Sequence, residues 1–156
     1  MEGILLTKSV NIMEKLISGY LFVYSSLRVG FHTPEYEYIR QYFTFLGPAK
    51  VRGKLSDMGD YPVGTPSSEK YFIRGELYRI NDETEFSFAI GQLDDYEGIA
   101  PEEEQSSSYK RELALVFREG KDEVYAWTYW YTGEVKGKPV IESGDVMEYV
   151  KSKKIL

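Results

Sequence analysis

Tyr20-Leu-Phe-Val-Tyr24 runs directly into Ser25-Ser26-Leu27-Arg28. Five consecutive strand formers with no polar break read as a strand buried on both faces, at the centre of a sheet. The small polar residues behind it permit a tight loop. A loop leaving the end of a buried strand exposes backbone N–H groups that can hold a carboxylate or a developing oxyanion. Every strand ends somewhere, so this feature alone is a weak signal.

Downstream, Thr33-Pro34 offers an N-cap with proline at the first helical position. Tyr36, Ile39, Phe43 and Leu46 follow at helical spacing, and Gly47-Pro48 is expected to end that helix. Ala49 to Leu55 is polar and alternating, and Asp57-Met58-Gly59-Asp60-Tyr61-Pro62 reads as a turn-rich loop. Tyr71 to Ile80 is a second strand, interrupted by Gly75, where a bulge or a close backbone approach is expected. Asn81-Asp82-Glu83 caps a helix through Tyr96. Pro101 to Ser108 is an acidic loop without packing content. Tyr109–Arg118 and Glu123–Tyr131 are strands joined by the hairpin signal Glu119-Gly120-Lys121-Asp122. Ser143-Gly144-Asp145 opens a short terminal helix, with Asp145 and Glu148 spaced as a capping box. The order predicts an α+β domain over residues 20–156, a small mixed β-barrel flanked by helices. Residues 1–19 read as an N-terminal extension whose order is left open, because Met13-Glu-Lys-Leu-Ile offers a second plausible start.

The length of 156 residues favours one domain. Zero cysteines exclude a disulfide scaffold and thiolate or iron–sulfur chemistry. One histidine, His32, makes a Ser/His/Asp triad or a multi-histidine metal site hard to assemble. The net charge of −6 argues against nucleic acid as the main partner. The apolar runs in residues 1–20 are too short for a signal core or a membrane span, so a cytoplasmic protein without membrane contact is expected.

Phe86, Ile90 and Leu93 recur on one face of the second helix, and continuing by four lands on Glu97. A carboxylate at the inward end of an apolar stripe has its charged form disfavoured, which moves it toward the range useful for proton transfer. The alternative is that the helix has already ended and Glu97 caps or salt-bridges locally. Asp94 and Asp95 leave the stripe and are expected to be solvated. Tyr125, Trp127, Tyr129 and Tyr131 share one face of the last strand, where core packing competes with a ligand wall. A nucleophilic Ser25 or Ser26 lacks an activating base.

Together these residues resemble the gamma-glutamylcyclotransferase-like family (AIG2-like). Tyr20 to Arg28 is similar to the family's Tyr-Gly-Ser/Thr-Leu-Arg strand and loop. Gly53-Lys-Leu-Ser-Asp-Met-Gly-Asp-Tyr-Pro62 is similar to its Gly-x-Leu-Tyr-Asp-x-Gly-x-Tyr-Pro segment. Gly75-Glu-Leu-Tyr78, Leu93-Asp-Asp-Tyr-Glu-Gly98, Tyr109-Lys-Arg111, Ala126 to Tyr131 and Ser143-Gly-Asp145 continue the series in order. The resemblance spans roughly residues 20–150.

The resemblance implies a compact barrel with a cavity at its mouth and an enzyme that releases 5-oxoproline from gamma-glutamyl amines, amino acids or peptides without a metal or organic cofactor. It implies Glu97 as the acid/base residue and the loop Tyr24, Ser25, Ser26 and Leu27 as the holder of the gamma-glutamyl group. Tyr109 and Tyr131 would line the cavity. The expected partner is a small gamma-glutamyl substrate, and exposed aromatic residues would support a homodimer. Three positions depart from the pattern: Ser25 replaces glycine, Ser56 replaces tyrosine and Val146 replaces an aromatic residue. These keep a second reading open, a non-catalytic protein of the same fold that binds a small molecule or a partner.

Overall fold

A computed structural model describes residues 18–25, 28, 30, 33–99 and 108–154. The opening apolar run forms β1 (Tyr20–Val23). Leu21, Phe22 and Val23 are all buried. β1 pairs antiparallel with β4 (Phe72–Ile80) on one side and parallel with β6 (Val124–Tyr131) on the other. A strand with neighbours on both edges and packing on both faces needs apolar residues at every position, which explains the unbroken run.

The remaining elements are α1 (Pro34–Tyr42), β2 (Phe43–Asp57), β3 (Pro62–Pro66), α2 (Phe86–Tyr96), β5 (Tyr109–Phe117) and α3 (Val146–Lys154). The sheet order is β3-β2-β4-β1-β6-β5, and pairing of Lys50 with Phe117 and of Val51 with Val116 joins β2 to β5. The strands β2, β4, β1, β6 and β5 thus close into a five-stranded mixed barrel, and β3 extends β2 at the rim. Closure removes free sheet edges from the ring. The expected α+β barrel flanked by helices is the fold observed.

Alternation along each strand divides the apolar residues into two layers. Phe22, Val51, Leu55, Ile73, Leu77, Val116 and Trp130 fill the barrel interior. Leu21, Val23, Ile39, Tyr78, Ile90, Leu93 and Tyr129 pack between the barrel wall and the helices α1 and α2. Each fully buried Leu or Phe contributes roughly 1.5–3 kcal/mol relative to exposure. Gly75 lies where β4 crosses β1, and a Cβ there would meet the Val23 carbonyl oxygen and the Phe22 ring. The close approach expected at Gly75 is what the fold uses, with the ladder in register across it.

Two local expectations change. The first helix stops at Tyr42 rather than at Leu46, because Phe43 already has extended backbone (φ −126°, ψ 152°) and pairs with Ile80. Phe43 is buried as a strand residue, so its helical spacing from Ile39 was coincidental. Gly47-Pro48 lies within β2, where the register shifts between Phe45 and Gly47 and Gly47 adopts φ 128°. That positive φ is one that glycine tolerates and other residues resist.

The stretch read as a loop through Pro62 contains a tight turn and then β3. The Asp57 carboxylate accepts the Gly59 N–H at 2.8 Å, and Met58 N–H donates to the Tyr61 carbonyl at 3.0 Å. With proline at both ends and Gly64 inside, β3 has little strand propensity. Prolines suit an edge strand, where one row of backbone groups needs no partner. The extension read over residues 1–19 lies outside the described residues as far as residue 17. Ser18 is buried, and its hydroxyl donates to the Tyr125 carbonyl at 2.6 Å. Among the described residues, no helix is long and apolar enough to cross a membrane.

Candidate active site

The C-terminal end of β1, the start of β3, the end of α2 and the start of β5 meet around a cavity of about 300 Å³. Tyr24, Ser25, Gly64, Glu97, Tyr109 and Tyr129 are on its wall. The aromatic residues supply an apolar body with polar tips, and Glu97 supplies the ionisable group.

Glu97 occupies the C-cap of α2 with helical backbone (φ −78°, ψ −3°), and its N–H donates to the Leu93 carbonyl at 3.0 Å. The helix therefore carries its periodicity one residue past its last regular turn, and Glu97 follows Ile90 and Leu93 inward. Gly98 then takes φ 79° and ends the helix. Burial first, and the neighbouring Asp94 second, push the Glu97 carboxyl up to about 7. The carbonyl end of a helix dipole acts in the same direction.

Tyr24 is buried, and its hydroxyl donates to the Tyr129 carbonyl. Burial holds that phenol well above its ordinary pKa, with Tyr109 and Glu97 adding to the effect. Tyr24 packs against Gly64 of β3, where a Cβ would collide with the ring and its hydroxyl. Tyr109 sits opposite, its pKa pushed to about 12 by burial and by Glu97. Tyr131 stands behind it with the two rings edge-on at 5.6 Å. Tyr131 is not among the described residues on the cavity wall.

Ser25 is exposed at the cavity, and Arg28 N–H donates to the Ser25 carbonyl at 2.9 Å, closing a turn. Arg28 is fixed in turn by an ion pair to Asp145 at 3.0 Å, with both side chains largely buried. The loop is thus tied at both described ends, by Tyr24 on one side and Arg28 on the other. Ser26, Leu27 and His32 lie outside the described residues.

Asp94 corrects an expectation. It is not a solvated carboxylate: Arg111 of β5 grips it with Nε at 2.8 Å and Nη2 at 3.1 Å, and the Tyr129 hydroxyl donates to it at 2.7 Å. Asp94 lies off the apolar stripe of α2, but the β5–β6 hairpin brings its partners to it. Asp95 is exposed, as expected. Periodicity also gave no sign of Gly64 or Tyr96 on the wall. The only trace of β3 in the sequence was its position after a turn.

A closed mixed barrel with flanking helices, carrying a carboxyl of raised pKa on the wall of a cavity at its mouth, defines a small α+β protein. Residues 21–148 match the family described as "Gamma-glutamyl cyclotransferase, AIG2-like", and the chain belongs to that family. It is 30% identical over 131 residues to a Methanocaldococcus jannaschii protein named "Putative gamma-glutamylcyclotransferase", covering 83% of this chain and 97% of that one. Among solved structures, YkqA from Bacillus subtilis superposes with a TM-score of 0.63 at 22% identity. That likeness covers 88% of this chain and 43% of the Bacillus chain, so this protein spans less than half of that relative's length. An AIG2-like protein from Mus musculus superposes with a TM-score of 0.53 at 21% identity, covering 80% of this chain and 86% of the mouse chain. At these identities the two structures share the fold.

Proposed function

We propose that this protein is a gamma-glutamylcyclotransferase-like enzyme that releases 5-oxoproline from a gamma-glutamyl amine, amino acid or peptide, with Glu97 as general base and then general acid. The observation that carries this reading is the Glu97 carboxyl on the cavity wall, raised to about 7 by burial and Asp94. The substrate's α-ammonium becomes a nucleophile only when it loses a proton, which the Glu97 carboxylate accepts. The free amine then attacks its own γ-carbonyl carbon, closing a five-membered ring. Collapse of the tetrahedral intermediate breaks the bond to the leaving nitrogen, Glu97 returns its proton there, and the second proton shed by the attacking nitrogen passes to the departing amine, which leaves as an ammonium. A carboxyl whose pKa lies near neutrality does both jobs with small driving-force penalties.

Ring closure is intramolecular, so much of the entropic cost of bringing the reactants together is already met by the substrate. One positioned carboxyl and a shaped pocket suffice, and no cofactor enters the scheme. The Tyr24–Leu27 loop would hold the gamma-glutamyl group through its backbone N–H groups, and Tyr109, backed by Tyr131, would close the opposite wall.

The test is a 5-oxoproline release assay over gamma-glutamyl amines, amino acids and peptides, with Glu97→Gln alongside. Release that falls roughly 10²–10⁴-fold in the variant supports the assignment. Undiminished release in Glu97→Gln rules Glu97 out as the base. A second reading, small-molecule binding without turnover, is favoured by one observation: Ser25 places a side chain at the cavity where the family motif has glycine. Saturable binding of gamma-glutamyl compounds with no release from any of them would establish it.

A further inference from the structure

Asp94 and Glu97 are three residues apart on α2, a spacing that puts their side chains side by side on the helix surface. Asp94 is not on the cavity wall, and both of its oxygens are engaged elsewhere. Oδ1 accepts from Arg111 Nε at 2.8 Å and from the Tyr129 hydroxyl at 2.7 Å, and Oδ2 accepts from Arg111 Nη2 at 3.1 Å. Arg111 is held from its other side by the Trp127 ring, 4.6 Å from guanidinium to ring centroid. Tyr129, bound to Asp94 through its hydroxyl, forms part of the cavity wall and accepts the Tyr24 hydroxyl at its carbonyl. One carboxylate therefore organises α2, β5 and β6 at the place where Glu97 enters the cavity.

The groups facing Glu97 come from every neighbouring element. Asp94 is on its own helix, Tyr24 is at the end of β1, Tyr109 is on β5 and Tyr129 is on β6. β3 presents Pro62, Val63 and Gly64, none of which titrates. Tyr24, Tyr109 and Tyr129 stay neutral across the working range, since burial raises all three. Among the described residues, the charge that acts on Glu97 is that of Asp94, and Arg111 is brought to the same place by its clamp on Asp94.

We propose that Asp94 and Arg111 are an opposed pair of positioning residues that together set the pH at which Glu97 gains and loses its proton. The proposal rests on reading Glu97 as the proton-transfer group. The negative charge of Asp94 disfavours a second negative charge on Glu97, and the positive charge of Arg111 offsets part of that effect. Removing Asp94 leaves a cation uncompensated, and removing Arg111 leaves an anion uncompensated. The two deletions must therefore move Glu97 in opposite directions. Loss of a merely structural salt bridge would affect both variants alike.

The experiment is a carboxyl-carbon NMR titration of Glu97, assigned by its disappearance in Glu97→Gln, in the full chain without substrate. Asp94→Asn is expected to lower the Glu97 midpoint by about one pH unit, and Arg111→Met to raise it by about one. Arg111→Lys keeps the charge and is expected to stay near wild type. Displacements of the same sign in Asp94→Asn and Arg111→Met, or none in either, overturn the proposal. A shift in Arg111→Lys as large as that in Arg111→Met also overturns it. Should Arg111→Met fail to fold, Tyr129→Phe removes a donor from Asp94 without removing a charge. A smaller upward shift is then expected, and no shift overturns the proposal. The acid limb of 5-oxoproline release, measured on the same proteins, should follow the NMR midpoints. Opposite NMR displacements in proteins that release no 5-oxoproline would uphold the charge pair and refute the cyclotransferase reading instead.

Discussion

Arg28 Nη1 and Asp145 Oδ1 meet at 3.0 Å although 117 residues separate them in the chain. The same oxygen accepts the N–H groups of Met147 at 2.9 Å and Glu148 at 3.4 Å, so one carboxylate both caps α3 and anchors the loop that follows β1. This contact joins two motifs at opposite ends of the sequence and gives each a reason to be there.

Asparagine at position 145 keeps an acceptor for the cap but loses the ion pair, whereas alanine loses both. Asp145→Ala is expected to be less stable than Asp145→Asn by about 1 kcal/mol, the typical worth of an N-cap. Urea unfolding of the two variants measures the difference. Identical midpoints would mean that the cap contributes nothing.

Glu97 makes stability fall with rising pH. Its carboxyl is raised from 4.5 to about 7 in the folded protein. Below about pH 4.5 both states carry the proton, and between 4.5 and 7 the unfolded chain releases a proton that the folded one retains. Stability attributable to this group therefore drops across that window and levels off above it, by about 3 kcal/mol in all. Glu97→Gln should lack this slope and be more stable than wild type at pH 8, as urea titrations at pH 4, 6 and 8 will show.

Tyr24→Phe removes the donor to the buried Tyr129 carbonyl. An acceptor left unpaired in the interior costs about 1–3 kcal/mol. Thermal unfolding should show that loss, while the ring that forms the cavity wall is kept. A variant with unchanged melting temperature would show that water replaces the hydroxyl at no cost.

Gly75→Ala places a methyl group against the Val23 carbonyl oxygen and the Phe22 ring. Relief requires β1 and β4 to separate, and overpacking of this kind costs about 1–3 kcal/mol or more. Reduced soluble yield and a lower urea midpoint are the expected outcomes. Wild-type stability would mean that the strands part freely at this crossing.

Ser25→Gly clears a side chain from the cavity. The catalytic reading expects kcat/KM for gamma-glutamyl substrates to rise in this variant. A fall would show that the serine hydroxyl contacts substrate productively, and steady-state kinetics on the same panel of compounds decides it.

The central strand, the helix carrying Glu97, the hairpin of β5 and β6 and the terminal cap at Asp145 were all legible in the sequence. Their signals are local: an unbroken apolar run, a 3.6-residue period, a turn between two strands, and a capping side chain two or three residues from the groups it serves. The inward position of Glu97 follows from the same period, because a helix carries its face forward until a residue such as Gly98 breaks it. β3 was not legible, since Pro62, Gly64 and Pro66 form a strand only because β2 offers an edge beside them. Nor was the helix end at Tyr42, where pairing of Phe43 with Ile80 overrides a helical spacing.

The partners of Asp94 were beyond sequence reasoning for a related reason. Local pattern assigns a residue to a face but says nothing about what another part of the chain brings to that face. Thus the sequence by itself determined the elements, their order and the single carboxyl at the inward end of α2. Tertiary structure alone decided that the sheet closes between Val51 and Val116, that Arg28 reaches Asp145, and that Arg111 and Tyr129 converge on Asp94 beside Glu97. Those contacts depend on long-range packing of buried surfaces, which no window along the chain contains.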